Sequence, residues 1–157
     1  MYKDIFRMSV LFIVGFMSYI TIEVLYRGYS FAIMGIVGGL LFLMIDQINE
    51  YENWNVDLVY QAFLGGIYAT LIELIVGLVD AEYLHLNMWD YSDQLGNFLG
   101  VICPLFSFYW CLLTILAVLV ADFINWAIVK DRTVPHYYIF GKLYEPRIYK
   151  LLNEERS

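Results

Sequence analysis

Four acidic side chains stand inside otherwise apolar runs: Glu23, Asp46, Glu73 and Asp122. Charge in such surroundings is expensive, so each needs a partner or a task. Arg27 follows Glu23 by four residues, on the same face of a helix and within reach of an intrahelical pair. Glu73 has no basic neighbour in its own run, so it shares Arg27, holds a proton or faces a polar cavity. The common depth of these groups predicts one buried polar cluster of Glu23, Arg27 and Glu73. Asp46 and Asp122 fall near the ends of their runs, where acids are expected to reach water. Small residues accompany the glutamates. Gly15, Tyr19, Glu23 and Arg27 recur at spacing four, as do Gly65, Ala69, Glu73 and Gly77. Gly35 and Gly39, with Gly38 beside them, form a further pair, and such stripes let helices approach closely in lipid.

Other chemistries find no residues to carry them. The sequence holds no G-x-x-x-x-G-K-[ST] loop, so the chain is not its own P-loop ATPase. His85 and His136 are isolated, and no zinc set or other metal site is expected. Serines and cysteines lack a nearby basic partner, so no nucleophile triad is expected either. The reading is a non-enzyme without cofactors. Cys103 and Cys111 lie eight residues apart in one apolar run, about 12 Å along a helix axis. That exceeds disulfide reach, and they read as inert thiols.

The elements that must position these groups follow from composition. Hydrophobic residues make up 61% of the 157 and charged residues 16%, an imbalance outside ordinary soluble domains. A soluble chain this short could not hide so much apolar surface. A bilayer core of about 30 Å takes about 20 apolar helical residues. Four segments qualify, at residues 8–26, 31–48, 57–79 and 101–123, and the last continues its apolar pattern to residue 129 as one long or tilted helix. The prediction is a single all-α membrane domain over residues 1–157, a polytopic bundle of four transmembrane helices. The first run carries Glu23 and lacks a small-residue cleavage site, so it reads as a retained helix. Residues 80–97 mix apolar and acidic side chains, which suits a segment lying at the interface.

Lys and Arg decide orientation. Lys3, Arg7, Lys130, Arg132, Lys142, Arg147, Lys150 and Arg156 fall on one side of a four-span arrangement, and Arg27 alone falls on the other. Both termini are therefore expected in the cytoplasm of a multi-pass plasma-membrane protein. Basic residues confined to the ends make no nucleic-acid footprint. The tail, residues 130–157, alternates Tyr137, Tyr138, Phe140, Tyr144 and Tyr149 with basic residues and is expected to lie at the anionic inner surface.

The run Trp89-Asp90-Tyr91-Ser92, followed by Asn97, Gly100, Ile102-Cys103, Phe106-Ser107 and Trp110, carries a family resemblance. So do Ile22-Glu23, Arg27-Gly28-Tyr29-Ser30, Met34, Gly38-Gly39, Glu73 with Gly77, and Pro135-His136-Tyr137. Over roughly residues 8–140 the chain resembles the bacterial family called putative ABC transporter permease (type IV). The resemblance implies a small multi-span membrane protein. A histidine and a tryptophan usually follow the family's Arg-Gly-Tyr-Ser run, whereas Phe31 and Ala32 stand here. Proton handling by that histidine does not transfer to this chain.

The resulting expectation is a permease-like subunit, working as a homo-oligomer or beside a partner membrane or ATPase subunit, and moving a small or amphiphilic solute. Glu23, Arg27 and Glu73 would be its polar centre, with Trp89, Asp90, Tyr91 and Ser92 covering the outer mouth. The rival reading is a non-transporting scaffold, a signalling protein or a phage-type, holin-like membrane factor. In that case Gly35, Gly38, Gly39, Gly65 and Gly77 serve assembly only.

Overall fold

The computed structural model describes residues 2–51, 56–128 and 134–154. Lys130, Arg132 and Arg156, counted above for charge, lie outside the described residues. The described chain is mostly helical, with one short hairpin and a turn-rich loop over residues 85–103. Its elements are α1 (Tyr2–Arg27), α2 (Ala32–Tyr51), α3 (Leu58–Val79), a π-helical turn (Asp80–Leu84), α4 (Pro104–Ile128), β1 (Tyr137–Ile139), β2 (Lys142–Tyr144) and α5 (Arg147–Glu154). Three stretches are long and apolar enough to cross a membrane: Tyr2–Arg27, Leu58–Leu84 and Pro104–Ile128. A fourth apolar stretch, Ala32–Ile48, is shorter.

Local chemistry sets the helix ends. Gly28 adopts φ 84° and returns its N–H to the Val24 carbonyl at 2.9 Å, a left-handed stop that a side chain would strain. Asp57 caps α3 by accepting from the Val59 N–H at 2.9 Å. The π turn ends at His85, φ 52°, whose N–H reaches the Asp80 carbonyl at 2.7 Å. The last long helix starts at Pro104 rather than at residue 101. Leu99 (φ 56°) and Gly100 (φ 68°) are left-handed, and Phe98 and Ile102 close a turn around them. Proline then opens the helix, where its missing donor costs least.

The helices pair as two antiparallel hairpins, α1 with α2 and α3 with α4, each packed more extensively within itself than against the other. Glycines explain the first pairing. A Cβ on Gly15 would lie 2.5 Å from the Phe42 Cβ and 2.6 Å from the Gly38 carbonyl. A Cβ on Gly38 would lie 2.4 Å from the Tyr19 Cβ. Gly35 and Gly39 admit the Phe16 and Phe12 rings. In the second hairpin, Gly65 faces Thr114, Gly66 faces Cys111, and Gly77 faces Val101 and Trp89. Cys103 and Cys111 are free thiols.

Between the hairpins, α2 supplies most of the apolar contact. Val37 and Leu41 pack on Ala69, Ile45 on Leu58 and Val118, and Phe42 with Leu11 on Ala121. The outward faces stay apolar and exposed, with Ile13, Met17, Leu40, Phe63, Leu71, Ile75, Phe108, Leu112 and Leu116 among them. A surface so continuously apolar suits lipid, not water.

Candidate functional site: a lateral cleft between two polar clasps

At the end of the bundle opposite the termini, Arg27 and Glu23 form the intrahelical pair that their spacing calls for, 2.9 Å between Nη2 and Oε1. The Ser30 hydroxyl donates to Glu23 Oε2 at 2.6 Å. Arg27 also donates from Nη1 to the Met88 carbonyl, which ties α1 to the loop between α3 and α4. Its guanidinium carbon lies 4.7 Å from the Tyr29 ring centroid, within cation–π range.

Glu73 is held elsewhere. Its Oε1 accepts from the Tyr91 hydroxyl at 2.8 Å and its Oε2 from the Trp110 indole N–H at 3.1 Å. The sequence placed Glu73 in one group with Glu23 and Arg27; the structure gives it two neutral donors and leaves Arg27 with Glu23. Tyr19, one helical turn before Glu23, stands between the two centres. Its ring stacks on Trp110 with centroids 5.6 Å apart.

The loop over this end is knotted by Asp80. That buried carboxylate accepts from the backbone N–H groups of Leu86 and Met88 at 2.8 and 2.7 Å. The fixed Met88 carbonyl is the one Arg27 holds. Within the Trp89-Asp90-Tyr91-Ser92 run, the Trp89 indole donates to the Val101 carbonyl at 2.8 Å. Asp90 accepts from the Ser92 N–H at 2.8 Å and hydroxyl at 2.5 Å, and these bonds hold its carboxyl below the ordinary range. Tyr91 stacks on Phe106 at 4.4 Å while reaching Glu73. Burial, and next the Glu73 charge, push its phenol well above the usual value.

At the end carrying both termini lies a second clasp that the sequence reading missed. Arg7 Nη1 pairs with Asp46 Oδ2 at 2.8 Å, the two side chains being 8% and 1% exposed. Asn125 of α4 spans the pair, accepting from Arg7 at 3.1 Å and donating to Asp46 Oδ1 at 2.6 Å. Asp46 therefore does not reach water as expected; it is buried because α1 supplies a cation and α4 an amide. Asp122 is buried too, 4% exposed, under the tail. Tyr137 and Tyr149 sit beside it, and their phenols are raised, by burial first and the Asp122 carboxylate after it. The buried Tyr137 hydroxyl nonetheless makes no close hydrogen bond. The tail is anchored through Asp57, whose Oδ2 accepts the Gly141 N–H at 2.9 Å.

Between the clasps the hairpins part. A cleft of about 240 Å³ has α2 as its floor at Gly38, Leu41 and Phe42. Gly15, Ser18 and Tyr19 of α1 form one wall; Trp110, Leu113 and Ala117 of α4 form the other. Its mouth lies at exposed side chains of α1 and α4, Ile22 and Leu116 among them, so it opens sideways. Among the described residues, no group of three His, Cys, Asp or Glu could hold a metal ion.

Membrane-length helices and an apolar outer surface, with polar groups gathered at the two bundle ends, define a helical membrane protein. The chain belongs to the family described as "Putative ABC-transporter type IV", whose family model matches residues 11–141. The resemblance read from the sequence motifs named the same family over nearly the same span. No curated protein and no solved structure matches the chain.

Proposed function

We propose that this protein is a permease-like membrane subunit that moves an amphiphilic solute along the cleft between α1 and α4, energised by an ATPase on a separate chain. The observation that carries the reading is the cleft: a lateral, apolar-walled opening whose lining Trp110 donates to the buried Glu73 behind it. A bundle of four helices encloses little central space, so a fully polar pathway would need more protomers. A sideways opening removes that difficulty, because the apolar part of the solute stays in contact with lipid. The family description supports the separate ATPase, and the sequence given holds no phosphate-binding loop of its own. Four spans with both termini cytoplasmic accord with the eight-to-one basic bias. Assembly with a second copy or a partner subunit belongs to the same proposal.

Ser18→Trp tests it. Ser18 lines the cleft and is exposed, so a larger side chain fills the mouth without displacing packed neighbours. Mass spectrometry of protein purified gently from its native membrane should find an amphiphile retained by the parent and lost from Ser18→Trp. Equal retention by both, or none by the parent, would reject the cleft as the solute's place.

A further inference from the structure

The cleft reading leaves the solute's headgroup open, and charge at the loop end narrows it. No Lys or Arg occurs between Arg27 and Lys130, so Arg27 is the sole Lys or Arg that this end can use. It is committed to Glu23 and the Met88 carbonyl. Glu73, 5% exposed, has only the neutral donors of Tyr91 and Trp110 among the described residues. A carboxylate offers about four acceptor sites, so two hydrogen bonds leave room for more. Its aromatic neighbours are cleft residues: Trp110 donates to it, and Tyr19 stacks on Trp110.

Resting on the amphiphile reading, we infer that the loop end of the cleft binds an organic cation, held by the Tyr19–Trp110 aromatic pair that lines it and attracted by the negative charge of Glu73 behind Trp110, with the ligand's hydrocarbon portion along the cleft. Each part answers a physical requirement. A buried carboxylate without a cation is costly, and a cation entering from the side supplies the missing charge. Aromatic faces attract alkylammonium groups and do so best when water is excluded. A small metal ion does not suit the site. Hard cations take several oxygen ligands, whereas the groups around Glu73 are hydroxyl and indole donors and ring faces. An anionic head is disfavoured by Glu73, since Arg27 is already committed to Glu23.

The test compares octyltrimethylammonium, octyl sulfate and octyl glucoside, which share a tail and differ in head charge. Binding is measured by equilibrium dialysis against the full chain in nanodiscs, with empty nanodiscs as the blank. The cation should bind at least tenfold tighter than the other two. Glu73→Gln should remove that preference and leave octyl glucoside unchanged. The variant is expected to fold, since its amide oxygen can accept from Trp110 and its amide N–H can donate to the Tyr91 hydroxyl. Ser18→Trp should weaken all three probes. Equal binding of the three heads by the parent, or a cation preference that survives in Glu73→Gln, overturns the inference while the cleft reading stands. If no probe binds above the blank, both fail. The parent comparison needs no variant to fold.

Discussion

The Arg7–Asp46–Asn125 clasp yields the sharpest energetic expectation. At 2.8 Å, with both side chains almost fully covered, the Arg7–Asp46 pair has lost its hydration and depends on its partners. Removing one member should cost about 3–5 kcal/mol, because the other stays buried without this counter-charge. Asp46→Leu leaves Arg7 facing the Asn125 carbonyl oxygen, and Arg7→Met leaves Asp46 with the amide donors of Asn125 and Gln47. Replacing both members by apolar residues strands no charge. The double variant should therefore lose only about 1–3 kcal/mol, the cost of the unpaired Asn125 amide. It should be more stable than either single, with a coupling of about 3 kcal/mol or more between the two positions. The assay is unfolding in mixed micelles on a rising fraction of denaturing detergent, followed by helical circular dichroism for all four proteins. An exposed pair behaves differently: each single costs about 0–1 kcal/mol and the effects add. Additive losses of that size would refute the buried clasp.

Further consequences concern packing, the tail and the loop. Gly38→Ala should impair folding more than Gly39→Ala. A Cβ on Gly38 meets the Tyr19 Cβ and the Gly15 carbonyl, fixed atoms, whereas one on Gly39 meets the Phe12 ring, which can turn; thermal unfolding of both variants measures the order. Asp57→Ala removes the α3 cap and the anchor of Gly141 together, so it should cost about 1–2 kcal/mol and speed proteolysis at residues 134–144. The depressed carboxyl of Asp90 stabilises the loop above its ordinary value of 3.8 and stops doing so as pH falls through its lower folded value. Ser92→Ala should move the acid midpoint of Asp90 upward, read by carboxyl carbon NMR; an unchanged midpoint would remove Ser92 as the cause.

What the sequence made legible follows from range. Glu23 and Arg27 are four residues apart, and helical periodicity alone pairs them. Glycine stripes announce helix contacts for the same reason, although not which ring or carbonyl each one meets. The partners of Glu73 lie 18 and 37 residues away, and those of Arg7 lie 39 and 118 away. No local rule reaches so far. Arg7 was counted for orientation because it sits near a basic N-terminus, yet α1 begins at Tyr2 and carries it into the bundle. A lone asparagine in Phe123-Ile124-Asn125-Trp126 was the available signal for its partner, since an amide amid apolar side chains needs a bond. The loop knot at Asp80 was hidden for another reason: the acid follows α3 directly, and only the π turn brings it under Leu86 and Met88.

The proposed transport route is tested most directly by ATP-dependent uptake of labelled octyltrimethylammonium into inside-out membrane vesicles of the native host. Vesicles are compared with the parent chain, with Ser18→Trp at equal abundance, and with the chain deleted. The account expects accumulation with the parent, and a fall to the deleted level when Ser18→Trp fills the cleft. Equal accumulation in parent and Ser18→Trp vesicles would contradict a route through the cleft, and equal accumulation in parent and deleted vesicles would contradict transport by this chain.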